Sequence, residues 1–381
     1  MLLTLLIGCG QNMGLEYEKS ISSIQDTITE VPPNWKPDTM IRLDYKKISE
    51  ILRPLLQEVI ESGKFSYSIL GNPIQIKIKN KITSLQLKNA QNNRLKLKIN
   101  ISGTGSWKAL GLTSKIPYQG SITLQLSVLY KNGMVQVAIN DISSVDVAIN
   151  NNMVDLSKPF QSWISQELQE LKPFSILKID ASEIPFIPFL DFRVETSLPS
   201  INIEGISQYN HKQYLPSKME PLTEDFQLRM SNGLVNTCLR MVGTELKTPI
   251  AGLYVDPYGI SFIEDKVSVL VRLWKIEGWM QGMRGYQVNG SYAITNNKFS
   301  VKFDSFENLE ESMGYMKHNP ILMLGENFIE NKFLDRLNSV LPSSQGTKIK
   351  QYKIDAHLKS IGSDSNEVFL NGNIEMSEKR K

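Results

Sequence analysis

Cysteine is scarce in this chain, which contains only Cys9 and Cys238 among 381 residues. Two cysteines are too few for a disulfide framework or for a zinc site built from a cysteine cluster. An excess of one charge is also lacking, because 42 basic residues stand against 39 acidic ones, and the formal net charge is +3. Composition therefore gives no case for a nucleic-acid partner.

Long apolar runs and catalytic motifs are lacking as well. No segment after the N-terminus approaches the ~20 apolar residues of a membrane-spanning helix. His211, His318 and His357 show no metal-ligand spacing, and Gly103 and Gly105 lack the third glycine and the following helix of a phosphate loop. We therefore predict a protein that is not an enzyme, with no metal and no cofactor, although a catalytic pair assembled by folding stays an alternative.

What the chain does contain is one order of elements that occurs twice. Ile41 and Leu43 alternate with polar residues before a helix-period stripe, and Phe226, Leu228 and Met230 do the same later in the chain. The stripes comprise Ile48, Ile51, Leu52, Leu55, Val59 and Ile60 in the first copy, and Leu234, Val235, Cys238, Leu239 and Val242 in the second. Identity between the copies is slight, so the repeat is one of pattern.

Each copy continues with long runs in which apolar and polar residues alternate. The Asn132-Gly133 turn separates two such runs and predicts an antiparallel hairpin. Strand follows strand without an intervening helix, which argues against a parallel sheet. A second helix is predicted to close each copy. In the first copy it begins at Ser157 and ends before Pro173, and in the second copy it begins at Asn319 and ends before Pro342.

Two tandem units of this kind, in which amphipathic helices must cover the apolar face of long antiparallel strands, resemble the tubular lipid-binding (TULIP) superfamily. Its members include the bactericidal/permeability-increasing proteins. The resemblance extends from Met40 to Met376 and rests on element order and periodicity. It implies an α+β fold of two tandem units, each a long curved antiparallel sheet wrapped around amphipathic helices, with an apolar groove that holds acyl chains.

The helix stripes are the predicted lining of these grooves, whose ligand would be a lipid or another elongated hydrophobic molecule. The candidates are Ile51, Leu52, Leu55, Val59, Trp163 and Ile164 in the first unit, and Phe328, Ile329 and Phe333 in the second. Each CH2 group that such a ligand moves out of water contributes ~0.8 kcal/mol. The alternative is that these residues simply form the hydrophobic core.

The N-terminus resembles the signal segment of a bacterial lipoprotein. Leu6-Ile7-Gly8-Cys9 is similar to a lipobox, which implies that Cys9 is lipidated and that the residues before it are removed. This stretch is short and carries no Lys or Arg, which a start codon placed too far downstream would explain. By analogy with enterobacteria, Gly10, unlike an aspartate at that position, permits export to the outer membrane. We therefore expect a protein of the bacterial cell envelope that is lipid-anchored at the outer membrane. The alternative is an incidental cysteine.

The predicted organisation follows from these patterns. It comprises residues 1–9 as signal segment, 10–39 as a polar tether, 40–207 as the first unit, 208–224 as a linker and 225–381 as the second unit. The tether prediction rests on the polar, proline-bearing composition of that segment. Its alternative is an arm packed on the first unit and held there by Trp35.

The outer face of the first sheet is predicted to be basic. Its residues are Lys77, Lys79, Lys81, Lys88, Lys96 and Lys98. Attraction to anionic lipid head groups or lipopolysaccharide is one interpretation, and an ordinary solvated sheet face is the other. The whole sequence predicts an envelope lipoprotein that binds and transfers a hydrophobic ligand. The rival is a non-enzymatic envelope adaptor or structural lipoprotein with filled cores, which binds an unknown protein partner.

Overall fold

The structure is a computed structural model that describes residues 12–25, 27–69, 72–89, 94–109, 112–131, 134–149, 154–169, 173–178, 189–197, 200–209, 213–216, 221–245, 253–278, 281–295, 298–314, 346–349 and 352–378. The helices are α1 (Met13–Gln25), α2 (Tyr45–Ile60), α3 (Ser157–Gln169) and α4 (Asn232–Glu245). The strands of the first half are β1 (Thr39–Asp44), β2 (Ser62–Ile69), β3 (Asn72–Asn89), β4 (Arg94–Ala109), β5 (Leu112–Lys131), β6 (Met134–Ile149), β7 (Val154–Asp155), β8 (Phe174–Lys178), β9 (Phe189–Ser197) and β10 (Ser200–Ser207). Those of the second half are β11 (Phe226–Ser231), β12 (Leu253–Ile263), β13 (Lys266–Lys275), β14 (Gly282–Thr295), β15 (Lys298–Gly314), β16 (Gly346–Ile349), β17 (Tyr352–Ser363) and β18 (Glu367–Glu378).

These strands form three sheets. The first sheet has the order β2-β3-β4-β5-β6-β7, with β8 also paired to β6, and the second sheet has the order β12-β13-β14-β15. The central sheet has the order β16-β17-β18-β11-β1-β10-β9. Neighbouring strands pair antiparallel in all three, which confirms the predicted α+β class with antiparallel sheets.

The first sheet is curled. Register shifts interrupt its ladders between Ile82 and Ser84 on β3 and between Thr123 and Leu124 on β5. Each bulge adds local twist and bends the strand that carries it, so long strands close around an interior instead of lying flat.

The central sheet joins the two halves of the chain. The opening strand of each copy lies beside the other, with Ile41 opposite Leu228 in the β1-β11 pair. The apolar face of this sheet therefore belongs to both halves. The sequence predicted the strands of each copy, but a sheet shared between the copies was not part of that prediction.

Both copies turn from strand to helix with the same device. In the first copy, the Lys47 N–H donates to Asp44 Oδ1 at 3.0 Å. In the second, the Leu234 N–H donates to Ser231 Oγ at 3.2 Å. Asp44 and Ser231 are the last residues of β1 and β11, so each strand supplies the N-cap of the helix that follows it. The predicted stripes of α2 and α4 are confirmed as helical.

The N-terminal segment corrects the tether prediction for residues 13–25. They form α1, which buries Met13 and Tyr17 against Trp274 and Met283 of the second half. The Ser20 hydroxyl donates to Asp256 Oδ2 at 2.8 Å. The helix forms because Met13, Tyr17 and Ile21 recur every four residues and present one apolar stripe, which the polar composition concealed.

The chain after α1 is also held to the body. The Ile28 N–H donates to the Gln208 carbonyl at 2.8 Å, and the Leu215 N–H donates to the Pro37 carbonyl at 2.9 Å. The guanidinium of Arg193 on β9 lies 4.4 Å from the centre of the Trp35 ring. Trp35 thus contacts the first half, as the packed-arm alternative required, whereas α1 packs on the second.

Several predicted features lie outside the described residues. They are Cys9, the turn at Asn132-Gly133 and the second closing helix with Phe328, Ile329 and Phe333. Among the helices that the structure describes, none combines the length and the apolar character needed to span a bilayer.

Candidate functional site

The predicted groove residues of the first unit lie together in one apolar interior. Ile51, Leu52 and Leu55 on α2 are at most 2% exposed, and Trp163 and Ile164 on α3 are 7% and 0% exposed. All of them belong to a single cluster of contacting apolar side chains, against which the half-buried Val59 also packs. The structure therefore brings the predicted set together, whereas contact with a ligand stays a prediction.

The strands supply the opposite wall of this interior. Their buried side chains alternate with exposed ones, as period-two alternation predicts for a sheet with one wet face. The inward set includes Ile76, Ile78, Leu95, Leu97, Ile99, Ile122, Leu124, Leu126, Val135 and Val137. The described inner face of the first sheet is therefore mostly apolar.

An aromatic cluster that the sequence patterns did not predict lies at one side of the interior. Phe160 on α3 lies with its ring centre 5.1 Å from Trp163, 6.1 Å from Phe65 and 6.3 Å from Tyr118. A side chain at Gly63 would overlap the Trp163 ring, so glycine is required there for α3 to approach β2. The long separation of these residues along the chain concealed the cluster.

A polar group inside this interior is satisfied by the protein itself. Asn80 Nδ2 donates to the Ile60 carbonyl at 2.5 Å, and the Tyr118 hydroxyl donates to Asn80 Oδ1. Gln57 adds two bonds, donating to the Asn80 carbonyl at 2.9 Å and accepting from the Ile82 N–H at 2.7 Å. Burial raises the pKa of Tyr118, which keeps its hydroxyl neutral as a donor. This network fixes the end of α2 on β3.

The helices cover only part of the length of the strands. The 16 residues of α2 and the 13 of α3 span about 24 Å and about 20 Å. The 20 residues of β5 extend over about 66 Å. Apolar side chains packed against the core but only half-buried are Leu85, Leu87, Ile116, Tyr130, Ile139 and Val145. The apolar interior thus continues past the helices to side chains that retain contact with solvent.

The central sheet connects this interior to a second one. Its strands contribute Ile41 and Ile203 to the first cluster, and Leu370 to a second cluster formed with α4 and the second sheet. The half-buried Leu228 packs against both clusters. The two apolar interiors therefore meet at Leu228 of β11.

The second interior resembles the first in composition. Leu239 on α4 belongs to the same cluster of buried apolar side chains as Val267, Val269 and Val271 of β13. Cys238 of the same helix lies half-buried beside Tyr209 and Leu234. Burial raises the pKa of the Cys238 thiol to about 12, so the side chain stays a neutral apolar group.

Two of the buried charges belong to ion pairs, and a third bonds a neutral side chain. Arg229 Nε donates to Glu367 Oε2 at 2.6 Å, and Arg240 Nε donates to Asp256 Oδ1 at 2.8 Å. Arg42 Nη1 donates to Gln227 Oε1 at 3.0 Å across the β1-β11 pair. These bonds hold strands and helices together. Within the described ranges, no group of three or more His, Cys, Asp or Glu residues could hold a metal ion.

No family model and no curated protein matches the chain. The comparison with solved structures did give matches. The chain is similar to a lipopolysaccharide binding protein, with 11% identity over 91% of this chain and 100% of that chain, and a TM-score of 0.40. It is also similar to P47 of Clostridium botulinum E1, with 12% identity over 90% and 100% and a TM-score of 0.46. P47 from Clostridium botulinum A2 has 10% identity over 88% and 97%, and a TM-score of 0.39.

Proposed function

We propose that this chain is an envelope lipoprotein that binds, and transfers, lipid or another elongated hydrophobic molecule in its apolar interiors. The mismatch between helix and strand length carries the proposal. Two short helices cannot cover the inner face of the first sheet, so inward side chains such as Leu87 and Tyr130 stay half-buried. An acyl chain laid along them would complete their burial.

The proposed mechanism is passive and needs no catalytic residue. A chain of ten methylene groups that enters the interior gains about 8 kcal/mol from its removal from water, before the costs of immobilisation. Ile51, Leu52, Leu55, Trp163 and Ile164 would form the inner end of the path, and Val59 its more exposed part. In the second unit the predicted contacts are Phe328, Ile329 and Phe333.

We further propose that Cys9 carries the lipid that anchors the chain, at the outer membrane. Met13, the first residue of α1, is buried against the body. The connection between anchor and body is therefore short, and the body would lie close to the bilayer. Metabolic labelling with an acyl probe tests this claim, because Cys9→Ser must abolish the label.

Ligand binding is tested on the full chain carrying Cys9→Ser, purified and examined by native mass spectrometry and by uptake of a fluorescent fatty acid. We expect co-purified lipid and saturable uptake. Leu87→Asn, at the half-buried part of the interior, should weaken uptake several-fold. Ile263→Asn is the matched control, because Ile263 is 68% exposed in the second half. Absence of both lipid and uptake would contradict the proposal.

The near-complete burial of Ile51, Leu52 and Leu55 favours a second candidate, the adaptor with filled cores. In that case the interior would be ordinary core, and the protein would bind a protein partner through its surface. The two candidates differ in one measurement. A protein with a filled core takes up no fatty acid even when it is fully folded. Circular dichroism establishes independently that the protein is folded.

A further inference from the structure

The charges of this nearly balanced chain are strongly segregated. From Ser62 to Asn140 the sequence contains no aspartate and no glutamate, so all 39 acidic residues lie outside this stretch. The same stretch contains eleven basic residues, which are Lys64, Lys77, Lys79, Lys81, Lys88, Arg94, Lys96, Lys98, Lys108, Lys115 and Lys131. A formal net charge of +3 conceals this local excess.

The fold gathers these residues on one surface. They lie on strands β2 to β5. Those whose side chains the structure describes alternate with the inward apolar residues and point to the outer face of the first sheet. We call this surface the lysine face. Its exposed members are Lys64, Lys77, Lys79, Lys81, Lys88, Arg94, Lys96, Lys98, Lys115 and Lys131. Among the described residues, none of them forms an ion pair with a carboxylate.

Strand pairing sets like charges directly opposite each other on this face. Lys64 on β2 is opposite Lys77 on β3, and Lys88 on β3 is opposite Lys96 on β4. Like charges in opposed positions of an antiparallel pair destabilise the sheet. Glutamine or threonine would fit the same exposed positions without that cost, so packing does not account for the pattern.

The extent of the charged surface favours an extended partner over a single small anion. Recognition of one phosphate or carboxylate uses donors that converge, and arginine provides the matching planar fork. Here the charges are spread, since Lys77 and Lys88 on β3 are about 36 Å apart along the strand. A partner that engages the whole face must therefore be an extended anionic surface.

The side chains of the lysine face favour a bilayer over a nucleic acid as the partner. Lysine supplies all but one of the charges, and Arg94 donates to Gln125 at 3.5 Å. The described outward neighbours are small or amide residues such as Ser102, Thr104 and Thr123. Nucleic-acid surfaces combine basic grooves with aromatic side chains that stack on bases. Diffuse attraction to lipid head groups needs only point charges.

We propose that the lysine face binds the surface of an anionic phospholipid bilayer. This binding does not depend on whether the interior holds a lipid, because it uses the opposite face of the same sheet. It would place the outer, convex side of the first sheet against the head groups and orient the body relative to its membrane. Each lysine near such a surface contributes a factor of about 5 to the partition coefficient.

The test is co-sedimentation of the full chain carrying Cys9→Ser with vesicles of phosphatidylcholine, with and without phosphatidylglycerol. We expect binding only with phosphatidylglycerol and a steep loss on addition of salt. Replacing Lys77, Lys79, Lys96 and Lys98 together with glutamine should weaken binding about 600-fold. The matched control replaces Lys46, Lys158, Lys266 and Lys302, which are exposed and lie off this face.

Three results would overturn the proposal: equal loss in both quadruple variants, equal binding to vesicles without phosphatidylglycerol, or tighter binding to duplex DNA than to the anionic vesicles. Fatty-acid uptake by the same variants is measured in parallel. Uptake that persists while vesicle binding is lost separates this face from the groove. If the parent Cys9→Ser chain takes up no fatty acid but shows vesicle binding that depends on these lysines, the groove is contradicted and the lysine face is supported.

Discussion

The two halves of the chain share an order of elements but cover their sheets differently. In the first half, α2 and α3 come from the repeat itself and bury residues such as Leu52 and Phe160 at no more than 1% exposure. In the second half, α4 is assisted by α1, a helix from outside the repeat, which packs on β13 through Tyr17 and Trp274. A repeated pattern thus specifies the strands and the opening helix, while α1 adds cover to the second half from outside the repeat.

The largest expected effect is on the rate at which a thiol reagent modifies Cys238, on the packed side of α4. The pKa of the Cys238 thiol is raised from 9.0 to about 12, so the reactive thiolate is depleted at all pH values below that. At about pH 8, a thiol reagent should modify Cys238 on the order of 1000-fold more slowly in the folded chain than in the unfolded chain. The measurement uses Cys9→Ser protein, with and without denaturant. Fast labelling of folded protein would show that α4 is not packed as described.

The next effect compares the two opening helices directly. Leu52→Ala on α2 should lower the free energy of unfolding by about 3 to 4 kcal/mol, because it leaves a cavity in a fully buried site. Leu239→Ala on α4 should cost less, since its neighbours on that helix are mostly half-buried. Leu129→Ala, at a site 44% exposed, is the control. Urea denaturation ranks the three variants, and equal losses for Leu52 and Leu239 would remove the difference between the halves.

A somewhat smaller effect is expected for the helix outside the repeat. Tyr17→Ala should lower the free energy of unfolding by about 2 to 3 kcal/mol, because the ring is buried between Tyr254 and Trp274. Hydrogen exchange should increase in β13 and not in the first sheet. Leu15→Ala tests the exposed side of α1, where Leu15 is 49% exposed, and should change little. A free tether would make both variants neutral.

The smallest effect concerns the feature that the halves share. Asp44→Ala and Ser231→Ala each remove one N-cap and should each cost about 1 kcal/mol. Equal losses in urea denaturation would support one device used twice. A much larger loss for Asp44→Ala would show that its carboxylate does more than cap α2.

Local patterns predicted much of the first half. The stripe of α2, the start of α3 at Ser157 and the long alternating strands were all found where periodicity indicated them. The tether was wrong for α1, because a thirteen-residue helix with only three apolar anchors is concealed by its polar residues. The cluster of Phe65, Tyr118 and Phe160 joins residues from three elements, and no local pattern records which strands become neighbours.

By itself, the sequence determined where strands and helices form and which side of each is apolar, because both properties depend on the spacing of residues a few positions apart. The tertiary structure alone decided that β1 and β11 share a central sheet and that Leu228 lies between two interiors. It also placed the scattered lysines on one face, with Lys64 opposite Lys77. Pairing and curvature arise from contacts between distant segments, which is why they appear only in the folded chain.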